Sequence, residues 1–456
     1  MTNVETELPE IKMNVIERNS PHRKRWQNCK VGTHLQLETD DLASYFFATW
    51  KPIVFDTLLL AASVEFCDRV KKRPKLGWGR RIQLRLPVHD VGTWQKADVT
   101  SALKIALEFL TGDSWQIEFV QRKTIAPAPQ QSVLPLEDKI AVIPFSEGLD
   151  SRAVAGLMSQ ILGSGLVRVR LGKKSFDKPR DANGRAMPFT TVPYKIAAGD
   201  FSFPETSARS RGFKFALLSG IAAYLANVRR VIVPESGQGA LGPSLVTVGQ
   251  SHDDFRNHPA FTSKISQFLK ALLGVSIEYE FPRLWYTKGQ TLQVYTELPG
   301  SEDWKTTRSC WQDNRHSSVN GKRRQCGICA ACMLRRLSVH AAGLQEDKNT
   351  YVWEDLAASS FEAAAPISLT RIEKVQREYA LAGTLHLDHL AWLKQSPLGE
   401  QVLKTNASRL EKPLKLSNSE VRSNLDSLLT QHKKEWKLFV ESLGPTSFIR
   451  NWAEQK

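Results

Sequence analysis

The chain has 456 residues, 41% of them hydrophobic, which is enough length for two or three domains and enough apolar content for a sizeable core. Its longest apolar stretches, such as Ile53 to Ala62, fall short of a membrane span, and acidic residues stand where a signal peptide carries basic ones, so a cytoplasmic protein with no membrane partner is expected. The net charge of +15 suits polyanions such as nucleotides, RNA or an acidic protein surface, and equally a plain basic exterior; it excludes no chemistry.

Residues 1–30 mix charges with few aliphatics and read as a flexible arm. A small α/β domain is expected over 31–122. There Ile82, Leu84, Leu86 and Val88 alternate with other residues as in a half-buried strand, and Trp115, Ile117 and Phe119 repeat the pattern. Between them the spacing of Leu103, Ala106, Leu107 and Leu110 predicts a helix, capped by Asp98 and ended before Gly112. Residues 123–137 hold Pro127, Pro129 and Pro135 and read as an extended linker.

A second domain is expected over 138–345. The apolar run Ile140 to Phe145, a polar turn, and helical spacing from Arg152 to Leu162 open a parallel α/β unit. Strands at Leu166 to Leu171, Val231 to Val233 and Val275 to Phe281, with a helix over Phe213 to Leu225, continue it as a doubly wound parallel sheet. Residues 346–456 turn helical, with amphipathic stretches over Leu369 to Leu381 and Val421 to Leu438 and breaks at Pro397, Pro413 and Pro445. Lys433, Lys434 and Lys437 beside Trp436 fit either a nucleic-acid contact or a charged helix face around one packing aromatic.

The turn Ser146-Glu147-Gly148-Leu149-Asp150-Ser151 joins a buried strand to a helix, where backbone amides and the helix dipole converge on an anion. Such a turn suits phosphate, although the Walker spacing and its Lys-Ser/Thr pair are lacking. An ordinary turn in which Ser and Asp cap the helix accounts for the same residues. Four of the six cysteines, Cys310, Cys326, Cys329 and Cys332, cluster across a basic insert from Gln312 to Gln325. Four thiolates suit one tetrahedral zinc with no open position, a structural site; a cubane iron–sulfur cluster is the rival reading.

The loop resembles the Ser-Gly-Gly-x-Asp-Ser loop of the PP-loop ATP pyrophosphatases, with Glu147 where that family has glycine. Thr307-Arg308-Ser309-Cys310-Trp311 and Cys326-Gly327-Ile328-Cys329-Ala330-Ala331-Cys332-Met333-Leu334-Arg335-Arg336 resemble the zinc signature of the QueC-like, or 7-cyano-7-deazaguanine synthase, family. Pro282 to Gln290 is similar to that family's Pro-x-x-x-x-x-Lys-x-Glu element, with Lys288 kept and Gln290 in place of Glu. Pro234 to Gly239 and Arg256 to Phe261 depart from the family's pattern. The resemblance spans about residues 139–345 and implies an adenine-nucleotide α-hydrolase-like fold, with ATP, Mg²⁺ and Zn²⁺ as cofactors.

By that resemblance Ser146 to Ser151 hold the nucleotide's phosphates, Cys310, Cys326, Cys329 and Cys332 hold zinc, and Asp150, Lys288 and Arg209 or Arg211 serve the chemistry. The implied reaction is adenylation of 7-carboxy-7-deazaguanine with release of pyrophosphate, then amide formation with an amine. Long QueC-like chains with such extensions resemble members of bacterial anti-phage operons of the Qat or type IV CBASS type, which implies a protein N-terminus from the same operon as acceptor. Housekeeping-like nitrile synthesis with ammonia, a PP-loop tRNA-modifying enzyme with an iron–sulfur cluster, and a catalytically silent nucleotide-binding scaffold are the other readings.

Overall fold

The computed structural model describes residues 8–18, 20–37, 51–74, 77–126, 139–170, 194–248, 252–312, 317–319, 321–366 and 372–453. Most of the expected linker, the start of the helix expected from Leu369 and part of the insert after Gln312 lie outside the described residues. The chain forms two compact units, one of residues 1–145, 162–233 and 254–280, the other of residues 146–161, 234–253 and 281–456. Among the described residues no helix is long and apolar enough to cross a membrane.

In the first unit, β1 (Glu10–Ile16) pairs in parallel with β2 (Gln27–Lys30) on one side and with β4 (Arg81–Val88) on the other, and β5 (Ser114–Gln121) completes the order β2-β1-β4-β5. The arm expected over 1–30 is therefore corrected. Its few aliphatics are concentrated in one short strand, where Ile11, Met13, Val15 and Ile16 are all buried. A short β3 (Leu35–Leu37) and a helix α1 (Pro52–Val70) come between β2 and β4. In β4 the alternation reads true, with Ile82, Leu84, Leu86 and Val88 fully buried.

Helices α2 (Val91–Trp94) and α3 (Ala97–Thr111) follow β4. Asp98 does not cap α3: Lys96 holds the cap position and Asp98 lies in the first turn, while Gly112 ends the helix at φ 68°, where glycine carries no side-chain penalty.

The second sheet, also in this unit, is wholly parallel in the order β10-β9-β6-β7, built from β6 (Ala141–Phe145), β7 (Leu166–Arg170), β9 (Arg230–Ile232) and β10 (Glu278–Glu280). Helix α4 (Leu149–Leu162) connects β6 to β7 in sequence, and α5 (Arg211–Leu225) precedes β9. A short β8 (Tyr194–Ile196) pairs antiparallel with β3. The expected N-terminal domain and the second sheet share one core: Phe109 of α3 stacks on Phe255 with ring centroids 4.3 Å apart, just before α8 (Pro259–Leu273), and Trp94 meets Phe268 within that helix.

The second unit contains the loop after β6 and most of α4, two single turns, α6 (Gly237–Ala240) and α7 (Gly242–Leu245), and then α9 (Lys288–Thr296), the hairpin β11 (Ser318–Val319) and β12 (Lys322–Arg323), and α10 (Ala330–Ala341). The expected helical region follows as α11 (Lys374–Trp392), α12 (Gly399–Leu414), α13 (Asn418–Ser442) and α14 (Phe448–Ala453). Pro397 falls between helices and Pro445 after one, but Pro413 lies inside the last turn of α12, which stops at Lys415 in the left-handed region, φ 57°. A proline that close to a helix end removes only one of the last intrahelical bonds.

Candidate functional site

Strand β6 stands where the strand order reverses, with β7 on one side and β9 on the other. The carboxyl end of a parallel strand at such a reversal is where α/β sheets bind ligands. From there the chain runs into Ser146–Ser151. The Gly148 amide donates to Ser146 Oγ at 3.2 Å, and Ser146 Oγ lies 2.9 Å from Ser151 Oγ. A Cβ on Gly148 would stand 3.2 Å from that same oxygen, so the turn closes most easily on glycine. Glu147, the departure from the resembled loop, accepts the Arg308 amide at 2.7 Å through its backbone carbonyl, a contact that any residue supplies.

Asp150 lies in the first turn of α4, where the dipole favours an anion. It is not used as a plain cap: Oδ2 forms an ion pair with the Lys288 ammonium, and Oδ1 is buried without a partner among the described residues. Lys288 is itself 6% exposed and opens α9. The Thr287 hydroxyl accepts the Gln290 amide at 3.1 Å, and the Thr287 amide donates to Gln290 Oε1 at 3.0 Å, a reciprocal capping box. Gln290, standing where the resembled element has Glu, thus keeps the acceptor which the cap requires. The two helices meet closely at Gly156, where a Cβ would lie 2.3 Å from the Tyr295 ring. That contact sets Asp150 against Lys288.

Arg209 and Arg211 belong to the first unit. Arg209 is buried, 3.6 Å from Asp254 and stacked over the Trp78 ring at 4.6 Å, whereas Arg211 is exposed at the start of α5.

The four cysteines converge. The sulfurs of Cys310, Cys326, Cys329 and Cys332 all lie within 4.8 Å of one another, with Cys326 and Cys332 3.8 Å apart. Thiolates bound tetrahedrally to one zinc stand about 3.8 Å apart, given the usual bond length. A cubane holds its thiolates on separate irons and spreads them further. Backbone amides of Gln312, Cys326 and Cys329 donate to the sulfurs at 3.2–3.4 Å, as ligating thiolates require. Hydrogen bonds from Cys326, Cys329 and Cys332 hold the Cys310 thiol far below its ordinary range, while burial raises that of Cys332. Such a division of charge is what a bound dication removes, because it stabilises all four thiolates together. The donor set fits a structural ion.

Residues 238–343 match the QueC family, described as Queuosine biosynthesis protein QueC. No curated protein matches the chain. The QueC match covers less than a quarter of the 456 residues and includes Lys288 and all four cysteines, while the loop Ser146–Ser151 precedes it. A QueC-like domain indicates an ATP-using, ligase-like enzyme of the PP-loop kind.

Within the QueC segment the paired arginines after the last cysteine act as clamps. Arg335, wholly buried, donates to the Thr307 hydroxyl at 2.6 Å and to Glu346 at 2.7 Å, and so holds the segment that leads to Cys310. Arg336 donates to the Trp353 carbonyl at 2.7 Å. The motif contains both residues, and an arginine on the buried face of a helix is a signal for such a clamp. Other contacts had no signal. Gln238 accepts the Lys288 amide at 2.8 Å across 50 residues of sequence, and contacts His432 across 194.

Proposed function

We propose that this chain is an ATP-dependent C–N ligase acting on 7-carboxy-7-deazaguanine or a closely related deazapurine acid. The observation that carries this reading is the joining of the two resembled motifs: Asp150 of the loop pairs with Lys288 of the QueC segment and keeps one buried carboxylate oxygen unpartnered among the described residues. A substrate carboxylate oxygen attacks the α-phosphorus of ATP, the bond to the β-phosphate oxygen breaks, and pyrophosphate leaves toward the first turn of α4. Lys288 offsets the charge that builds on the phosphates, and Asp150 Oδ1 is a suitable oxygen to face the Mg²⁺ that accompanies a triphosphate. An amine nitrogen then attacks the acyl carbon, AMP leaves, and the nitrogen gives up a proton as the amide forms.

The acceptor we favour is the N-terminus of a protein in an anti-phage system, on the resemblance of long QueC-like chains to such operons. The zinc site holds structure and takes no part in the reaction; its sulfur spacing weighs against the iron–sulfur, tRNA-modifying reading. The test is nucleotide turnover with 7-carboxy-7-deazaguanine, separating AMP from ADP, with and without ammonia. AMP that depends on the acid supports adenylation, and AMP indifferent to ammonia supports another amine. ADP, or no turnover with an acceptor protein present, overturns the reading.

A further inference from the structure

Helix α13 lies wholly beyond the QueC match, and its sequence carries no visible chemistry. Two of its residues, one turn apart, nevertheless grip the start of α9. The Thr287 hydroxyl donates to Glu435 Oε1 at 2.6 Å, and Gln431 Nε2 donates to the same oxygen at 2.9 Å. One residue further on, the Lys288 amide donates to Gln238 Oε1 at 2.8 Å. Gln238 Nε2 in turn donates to His432 Nδ1 at 2.7 Å, and His432 Nε2 donates to the Leu387 carbonyl of α11 at 2.9 Å. That last bond fixes the imidazole tautomer, since a carbonyl only accepts, and leaves Nδ1 as the acceptor which Gln238 needs. Thr287, Gln238, His432 and Glu435 are each at most 5% exposed, so water does not replace any of these bonds.

The chain that enters the Lys288 Cα is thus held by side chains of α13, by Glu435 at the Thr287 hydroxyl and by His432 through Gln238 at the Lys288 amide. Gly289, the next residue, lies so close to Glu435 that a Cβ would stand 3.3 Å from its Oε1. We infer that Glu435 and His432 are positioning residues for Lys288: the C-terminal helices fix where its ammonium meets Asp150 and the nucleotide. A long lysine stem has many rotamers, and its charge helps a transition state only where its base is fixed.

This inference rests on the proposed function for its kinetic consequence only; the clamp itself is read separately. Acylation of Lys288 by an N-hydroxysuccinimide acetate, followed by peptide mass spectrometry, reports its exposure with no substrate present. Glu435→Met keeps volume and helix propensity but removes the acceptor, and Gln238→Met removes the other arm. Each should speed labelling of Lys288 by about tenfold, the equivalent of one lost buried hydrogen bond, with zinc content unchanged. Glu435→Gln keeps the acceptor and should label like the parent chain. In AMP formation the two Met variants should lose kcat by a similar factor with the KM for ATP retained, and Glu435→Gln should restore it. Unchanged labelling in both Met variants overturns the clamp; should one of them fail to fold, the other decides. If the parent chain makes no AMP, the proposed function fails, and the labelling still settles the clamp.

Discussion

Asp150 has one carboxylate oxygen engaged by Lys288 and one buried oxygen with no partner among the described residues, an arrangement that burial penalises unless a ligand completes it. Asp150→Asn keeps the volume and removes the charge. AMP formation should fall at least about 100-fold, the usual effect of deleting one preorganised electrostatic contact, with a cooperative melting curve retained; turnover at the parent rate would take Asp150 out of the mechanism. His432 makes a prediction of the other kind. Burial pushes its pKa from the ordinary 6.5 down to about 4, so the folded chain keeps it neutral where the unfolded chain protonates it. Its contribution to stability is therefore complete above pH 6.5 and is lost as pH falls toward 4, at about 1.4 kcal/mol per pH unit. Urea unfolding at pH 7, 6 and 5 should show His432→Gln losing stability less steeply than the parent chain, with the difference in slope approaching one proton between pH 6 and 5.

At the scale of elements, legibility followed the range of the contacts. The helix α3 and strand β4 were readable because periodicity reports a buried face within a dozen residues. Strand β1 carries the same alternation, Ile11, Met13 and Val15 with Lys12 and Asn14 between them, but over only three apolar positions in a charged segment, where composition outweighs the period; the neighbours β2 and β4 on both sides complete its burial. The cysteine site was readable because three ligands lie in one short motif. Its second layer was not: Gln325 accepts both the Ser309 and Cys310 amides, and Gly327, at φ 85°, would place a Cβ 2.7 Å from the Trp353 carbonyl. These contacts bind the cysteine loop, the hairpin and the start of α10 into one element that a bound ion would close. Cys329→Ser should therefore lose the ion and destabilise the chain by several kcal/mol together, measured as zinc per chain and thermal unfolding of the same sample. A soluble, metal-free protein with the parent melting temperature would mean that the cluster is not a structural site.

The whole molecule divides differently from the divisions that composition suggests. A boundary at 345/346 was expected where the QueC resemblance ends, yet Tyr351, Val352, Trp353 and Phe361 share a core with Cys326, Cys332 and Met333, and Tyr351 bonds Glu346 at 2.7 Å. Trp353 and Phe361 stack face to face, at 8° between rings, and Phe448 and Trp452 of α14 pack around Phe361. The signal was hidden because aromatic residues far apart in sequence give no local period; only their sharing of one core reveals that the C-terminal helices complete the part that carries the cysteine cluster. Removing residues 346–456 would uncover Cys332, Met333 and Leu337, all now fully buried, and would also remove Glu346 from Arg335 and Glu435 from Thr287. A buried arginine left without its carboxylate alone costs about 3–5 kcal/mol, a large part of the stability of an ordinary domain. A chain ended at residue 345 should therefore be insoluble or fail to retain zinc, whereas a boundary at that point predicts a soluble, zinc-loaded fragment. Expression of the two lengths side by side, with zinc measured in the soluble fraction, separates the two outcomes, and the shorter chain's recovery with full metal would show that the C-terminal helices are an appendage.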